Sequence, residues 1–338
     1  MAEPGRTLIV GPNWVGDMVM TEPVIALLNG GKRLSTVDVM APGHLGDIVR
    51  RMPEAGRFID LPFDPHRANL RGRLQLARKL RGQYEYAIVI PTSFISALIP
   101  WWAGIVERRG YVRELRFGLI NRIAREQTSG ARRVTFLSYH HLGGVRPGRF
   151  PILAPDVANR SELLETFGLA ERRFVVLFPG AEGGDAKKWP AAHFGNVARH
   201  LMGHGFAVAV LGGRGDTVTT AAVSAAAPGA IDLGGRTRLG DAIDIISAAT
   251  AAVGNDTGLM HIAAAVAVPV VGLYGSTAVA ENPPLIQSSD ALSLNLPCSP
   301  CRQRTCPLQH HRCLVDLAPQ LAIAALEKLL QQPSGATA

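Results

Sequence analysis

Short, almost uninterrupted apolar runs ending in glycine or proline constrain this chain more than any other feature. They come in two series: TLIVG (7–11), VDVMAP (37–42), FIDLP (58–62) and YAIVIP (86–91), then FVVLFPG (174–180), FAVAVLGG (206–213), AIDLGG (230–235), AAVGND (251–256) and VPVVGLYG (268–275). A strand that is apolar all along must be covered on both faces, which a parallel sheet flanked by helices provides. The intervals are long enough for crossover helices, so each series reads as a βαβ succession. With 338 residues the chain exceeds one ordinary core, and ~150 residues per domain implies about two domains. Two prolines interrupt the rhythm in FPILAPD (150–156), and a polar helical segment follows over 159–169. The expected fold class is therefore α/β, with two Rossmann-like, doubly wound parallel-sheet domains over 1–155 and 156–338. A helix over 318–330 could pack back across both. Ligands of open α/β sheets bind beyond the carboxyl ends of the strands, so a cleft between the domains is the expected site.

Composition narrows the partners. With 47% hydrophobic and 18% charged residues, the chain is neither disordered nor a coiled coil. The longest uncharged stretch, FISALIPWWAGIV (94–106), contains Pro100 and is shorter than the ~20 residues of a spanning helix. A buried helix accounts for it, while Trp101 and Trp102 beside Arg108 and Arg109 would also suit a membrane surface. The net charge of +8 favours anionic partners. The basic residues are scattered and match no nucleic-acid motif, so no nucleic-acid partner is expected. The amino-terminal residues lack a basic segment followed by a long apolar one, and the protein is read as cytoplasmic.

Five stretches carry chemistry. Gly11-Pro-Asn13-Trp-Val-Gly16-Asp17-Met18 turns the first strand into a helix. It is neither a dinucleotide fingerprint nor a P-loop, since Asp17 and Met18 stand where Lys and Ser/Thr would be needed. Asp17 can cap the helix or act as a general base. Gly254-Asn-Asp256-Thr257-Gly258-Leu-Met-His261 opens an alanine-rich helix whose free N–H groups could hold an anion, with Asp256 or Thr257 as cap. His261, one turn in, is a packing residue or a diphosphate contact. In Pro179-Gly180-Ala-Glu-Gly-Gly-Asp-Ala-Lys187-Lys188-Trp-Pro190 the lysines are solvated, or they neutralise the charge on a departing nucleoside diphosphate. Asp216 ends the next strand's loop, as a surface turn residue or as a ribose contact. No Asp-x-Asp pair supports a metal-diphosphate site. The late cysteines Cys298, Cys301, Cys306 and Cys313 could bind a structural zinc but fit no common finger spacing, and reduced thiols in a loop are the expected state.

Together these motifs resemble glycosyltransferase family 9, the ADP-heptose lipopolysaccharide heptosyltransferases. The likeness spans nearly the whole chain through GPNWVGDMVMTEPV, VMAP, RMPE, PTSFISALIPWWAGI, FPGAEGGDAKKWP, GNDTGLMHIAAA, VGLYGST and CSPCRQRTCPLQHHRC. The resemblance implies a GT-B fold with the acceptor on the first domain and ADP-heptose on the second, and an inverting, metal-independent transfer without a cofactor. Asp17 matches the family's base and Lys187 the lysine that stabilises leaving ADP. Asp256, Thr257 and Gly258 match the donor motif, with His261 close by and Gly180 and Asp216 on the nucleotide side. The acceptor would be the first heptose of inner-core lipopolysaccharide, reached by peripheral attachment to the cytoplasmic face of the inner membrane. Asn13, Arg108, Arg109 and Arg113, with Arg116, would suit that polyanion, solvated arginines being the alternative. Other acceptors within the family, or a sugar-nucleotide epimerase of similar fold, are the competing readings.

Overall fold

Each of the apolar runs becomes a strand in the computed structural model, which describes residues 5–30, 36–124, 149–170 and 173–331. The chain divides into two units, Met1–Ile152 and Leu153–Ala338, against the 155/156 division expected from the sequence.

In the first unit the strands are β1 (Thr7–Val10), β2 (Val37–Pro42), β3 (Phe58–Leu61), β4 (Tyr86–Val89), β5 (Glu107–Gly110) and β6 (Arg122–Ile123). They form one sheet in the order β3-β2-β1-β4-β5-β6, parallel throughout. β1 and β2 are buried along their whole length, as strands covered on both faces must be. The helix Val15–Gly30 is correspondingly apolar, with Met18, Val19, Met20, Val24 and Ile25 all buried. The segment 94–106, expected as one buried helix, is a 3₁₀ turn, Phe94–Ala97, running into a short helix, Leu98–Trp102.

Helix Val15–Gly30 also holds the end of this unit. Glu22 is fully buried, accepts from the Ile152 N–H at 3.0 Å and pairs with Arg149 at 2.7 Å. Burial raises its pKa to about 7, more than the Ile152 amide and Arg149 lower it. Because the folded value lies above the ordinary 4.5, folding takes up a proton, so this group's contribution is fully present below pH 4.5 and is lost as pH rises through 7. Glu22→Gln should remove a loss of roughly 3 kcal/mol between those limits. Urea unfolding of both proteins at pH 5 and pH 8 measures it, and a wild-type-to-variant difference that does not move with pH would exclude it.

The second unit comprises β7 (Phe174–Phe178), β8 (Ala207–Val210), β9 (Ile231–Asp232), β10 (Ala251–Asn255), β11 (Val270–Leu273) and β12 (Ser289–Leu292). Their order is β12-β11-β10-β7-β8-β9, again parallel. Trp189, Phe194, Val197 and Leu201 of one flank and Ala322, Ala325, Leu326 and Leu329 of the last helix, Pro319–Gln331, close over the sheet. That helix takes its burial from the second unit's own core. In each sheet the strand order reverses once, between β1 and β4 and between β7 and β10. Such a switch point leaves a crevice outside the carboxyl ends of the two strands.

Candidate active site

Asp17 follows β1 at the first of these switch points. It lies in the first turn of helix Val15–Gly30, where backbone N–H groups favour a carboxylate, and it is partly exposed, as is Asn13 in the turn before it. The Thr21 hydroxyl donates to the Asp17 carbonyl at 2.9 Å. Arg109 and Arg113 are partly exposed and exposed, respectively. Arg108 is taken up elsewhere: its guanidinium donates to the carbonyls of Leu119 at 2.7 Å and Gly118 at 3.1 Å, and to that of Ile105. Arg116 is wholly buried, and burial pulls its pKa down to about 10. These two arginines tie a loop to the edge of the sheet and are not placed to meet an acceptor. A sequence shows a guanidinium but not whether carbonyls or solvent surround it.

The second switch point gathers the remaining candidates. Lys187 ends a 3₁₀ turn, Asp185–Lys187, after β7. Its Nζ pairs with Asp256 Oδ2, after β10, at 3.1 Å. Asp256 is 6% exposed, so the pair is largely desolvated and its charges are strongly felt. Asn255, the buried last residue of β10, fixes the lysine loop at both ends. Its amide donates to the carbonyls of Pro179 at 2.8 Å and Gly180 at 3.3 Å, and its oxygen accepts from the Trp189 N–H at 3.0 Å. Trp189 is itself buried, donating from Nε1 to the Leu317 carbonyl at 2.8 Å.

Thr257 precedes helix Gly258–Ala265 in extended conformation and makes no side-chain cap. Asp256 is occupied by Lys187, so neither residue caps through its side chain as the sequence suggested. The helix start keeps N–H groups without intrahelical partners. Thr257 Oγ1 before this start, His261 Nδ1 in its first turn, and Ser276 Oγ and Thr277 Oγ1 after the neighbouring strand β11 are buried polar atoms that have no partner among the described residues. Buried groups of this kind are costly unless something hydrogen-bonds them. Burial, opposed by Asp256 and assisted by Lys187, lowers the His261 pKa, which keeps the imidazole neutral and able to donate from one nitrogen and accept at the other. Asp216 accepts from the Gly213 N–H at 3.0 Å. Its carboxylate lies against Gly180, where an added Cβ would stand 2.3 Å from the carboxyl carbon. A side chain at position 180 would displace the Asp216 carboxylate from this contact between the ends of neighbouring strands.

The cysteine segment braces these loops. The Arg304 carbonyl accepts from the Ala186 N–H at 3.1 Å, and the Arg302 N–H donates to the Ser276 carbonyl at 2.8 Å. Gly184, with φ of +109°, passes so close that a Cβ would strike the Arg304 oxygen at 2.2 Å. All four thiols are unbridged, and no group of three or more metal-ligating side chains gathers among the described residues. Burial raises the Cys313 thiol, with Cys301, Cys298 and Cys306 adding to the effect, while the His311 N–H draws the partly exposed Cys306 thiol down.

Sequence reasoning passed over Asn255, Trp189, Ser276, Thr277 and Glu22. Ser276 and Thr277 left one readable sign, a glycine and two hydroxyls closing an apolar strand in VGLYGST. For the others the role lies in which distant backbone groups they meet.

A family model described as glycosyltransferase family 9 (heptosyltransferase) matches residues 73–312. The chain is 35% identical to the lipooligosaccharide heptosyltransferase 2 of Haemophilus influenzae, covering 96% of this chain and 99% of that protein. It is 32% identical to the lipopolysaccharide heptosyltransferase 2 of Escherichia coli, over 97% and 99% respectively. Its structure is similar to that of E. coli ADP-heptose lipopolysaccharide heptosyltransferase II with a TM-score of 0.84 at 31% identity, over 96% of this chain and 98% of that one. Two doubly wound parallel sheets are the GT-B architecture, and with these matches over nearly its full length the chain belongs to glycosyltransferase family 9, the heptosyltransferases.

Proposed function

We propose that this enzyme transfers L-glycero-D-manno-heptose from ADP-heptose to the first heptose of the lipopolysaccharide inner core, in one inverting, metal-independent displacement. The relatives' names supply the substrates, and one observation carries the chemistry. It is the largely desolvated Lys187–Asp256 pair at the β7/β10 switch point, directly before a helix start where Thr257 Oγ1 and His261 Nδ1 have no partner among the described residues. An ammonium, helix N–H groups and neutral donors in one place can receive a diphosphate.

The acceptor hydroxyl gives its proton to the Asp17 carboxylate as its oxygen bonds to the anomeric carbon. The bond from that carbon to the phosphate oxygen breaks with its electron pair, inverting the centre, and ADP departs carrying the new negative charge. Lys187 and the N–H groups at Gly258 meet that charge, so this role asks nothing of a metal. Thr257, Ser276 and His261 hydrogen-bond the phosphates and sugar, and Asp216 against Gly180 receives the ribose hydroxyls. Asn13, Arg109 and Arg113 serve the acceptor. No helix among the described residues is long and apolar enough to cross a membrane. Attachment to the cytoplasmic face of the inner membrane is peripheral in this reading.

ADP release from ADP-heptose, followed with and without a heptose-terminated core glycolipid in the presence of EDTA, tests the reading. Acceptor-dependent release is expected. Release that ignores the acceptor would indicate chemistry on the free nucleotide sugar, and none at all would exclude this donor.

A further inference from the structure

The edge of the first sheet that carries Asp17 also presents a rigid apolar tip. Phe94 follows β4 and Leu115 and Phe117 follow β5, and they are 42%, 83% and 67% exposed. Glu114 and Leu115, with φ of 51° and 53°, are consecutive non-glycine residues in the left-handed region, a conformation that L-residues avoid unless their surroundings enforce it. Here Arg116 enforces it. Its buried guanidinium donates to the carbonyls of Tyr111 at 2.6 Å, Pro91 at 2.7 Å and Ser93 at 3.1 Å, and to Ser96 Oγ at 2.9 Å. Glu114 Oε2 accepts from the Phe94 N–H at 2.7 Å, joining the two loops. The fold thus spends a buried arginine and two unfavourable backbone conformations on holding a leucine and a phenylalanine out in solvent.

Single exposed apolar residues need no explanation, but apolar side chains gathered on one braced tip do. The span 94–124 also contains five arginines and two glutamates, with no lysine or aspartate. Of these arginines Arg108 and Arg116 are taken up by carbonyls and Arg122 pairs with Glu107 at 3.3 Å, while Arg109 is partly exposed and Arg113 exposed. Apolar side chains beside such cations match an anionic bilayer, into which they insert while Arg109 and Arg113 meet the phosphates.

We propose that the loop tips Phe94, Leu115 and Phe117 form the docking surface of this enzyme for anionic phospholipid membrane. The surface rests on the proposed reaction to the extent that its acceptor is a membrane glycolipid, and it turns the Asp17 edge of the sheet toward the headgroups where that acceptor emerges.

Sedimentation of the full chain with vesicles of phosphatidylglycerol and phosphatidylethanolamine, against phosphatidylcholine alone, tests it. Wild type is expected to bind the anionic vesicles and the Leu115→Asp/Phe117→Asp double variant to bind at least ~10-fold less. Val218→Asp, at a second-unit valine that is 82% exposed, should bind as wild type does. Undiminished binding by the double variant, or no vesicle binding by wild type, overturns the proposal. Transfer to a deacylated, water-soluble acceptor separates the two readings, since the double variant should keep the wild-type rate there. Failure of wild type itself on that acceptor would count against the reaction and leave the vesicle result standing. If the double variant loses the soluble activity through misfolding, Leu115→Ser repeats the vesicle comparison with the same two outcomes.

Discussion

Asp17→Asn should lower acceptor-dependent ADP release on the order of 10²–10⁴-fold, the range set by loss of a general base. The isostere is more informative than alanine because it separates the two roles open to this residue. Asparagine serves helix ends about as well as aspartate, so a structural role would survive the change with both fold and rate intact. A carboxamide cannot take the acceptor's proton. Thermal unfolding within a few degrees of wild type together with collapsed turnover would assign Asp17 to the chemistry. Retained turnover would return it to the helix.

Lys187→Ala should cost about 10²–10³-fold in kcat while KM for ADP-heptose changes far less. The ammonium's partner charge grows as the bond to phosphate breaks, and an interaction stronger in the transition state than in the ground state acts on kcat. Removing it also leaves Asp256, almost wholly buried, without its ion-pair partner, which destabilises the fold locally. Steady-state kinetics should therefore be accompanied by an unfolding midpoint for the variant. Equal losses in kcat and in donor affinity would mean that Lys187 merely holds the diphosphate.

The sequence displayed the fold where burial was two-sided. β1, β2, β7, β8 and β10 are apolar because helices cover both faces, so their identity needs no knowledge of neighbours. β5, written ERRG, and β12, written SDAL, are only partly buried, and β6 is exposed. Their residues follow an edge environment that topology alone supplies. The placement of the candidate residues was legible where a motif coincides with a strand end, as at Asp17, Lys187 and Asp256. It was illegible where a side chain answers to backbone far away in sequence. Arg116 is drawn inward by the carbonyls of Pro91 and Ser93, and Asn255 serves Pro179 and Trp189. Nothing in the residues around Arg116 distinguishes it from a solvated cation.

The bonds of Asn255 bear on when the lysine loop acquires its shape. Its amide is anchored in a central strand and reaches the residues at both ends of the stretch 179–189, which also rests on the buried indole of Trp189. Such a loop cannot open by itself, because freeing its ends strands polar groups inside the core. Its opening free energy approaches that of the whole unit, and the Trp189 amide should exchange with solvent hydrogen almost as slowly as the amides of β10. In the proposed reaction the donor then meets a loop already ordered, and its binding energy remains available for the reacting sugar.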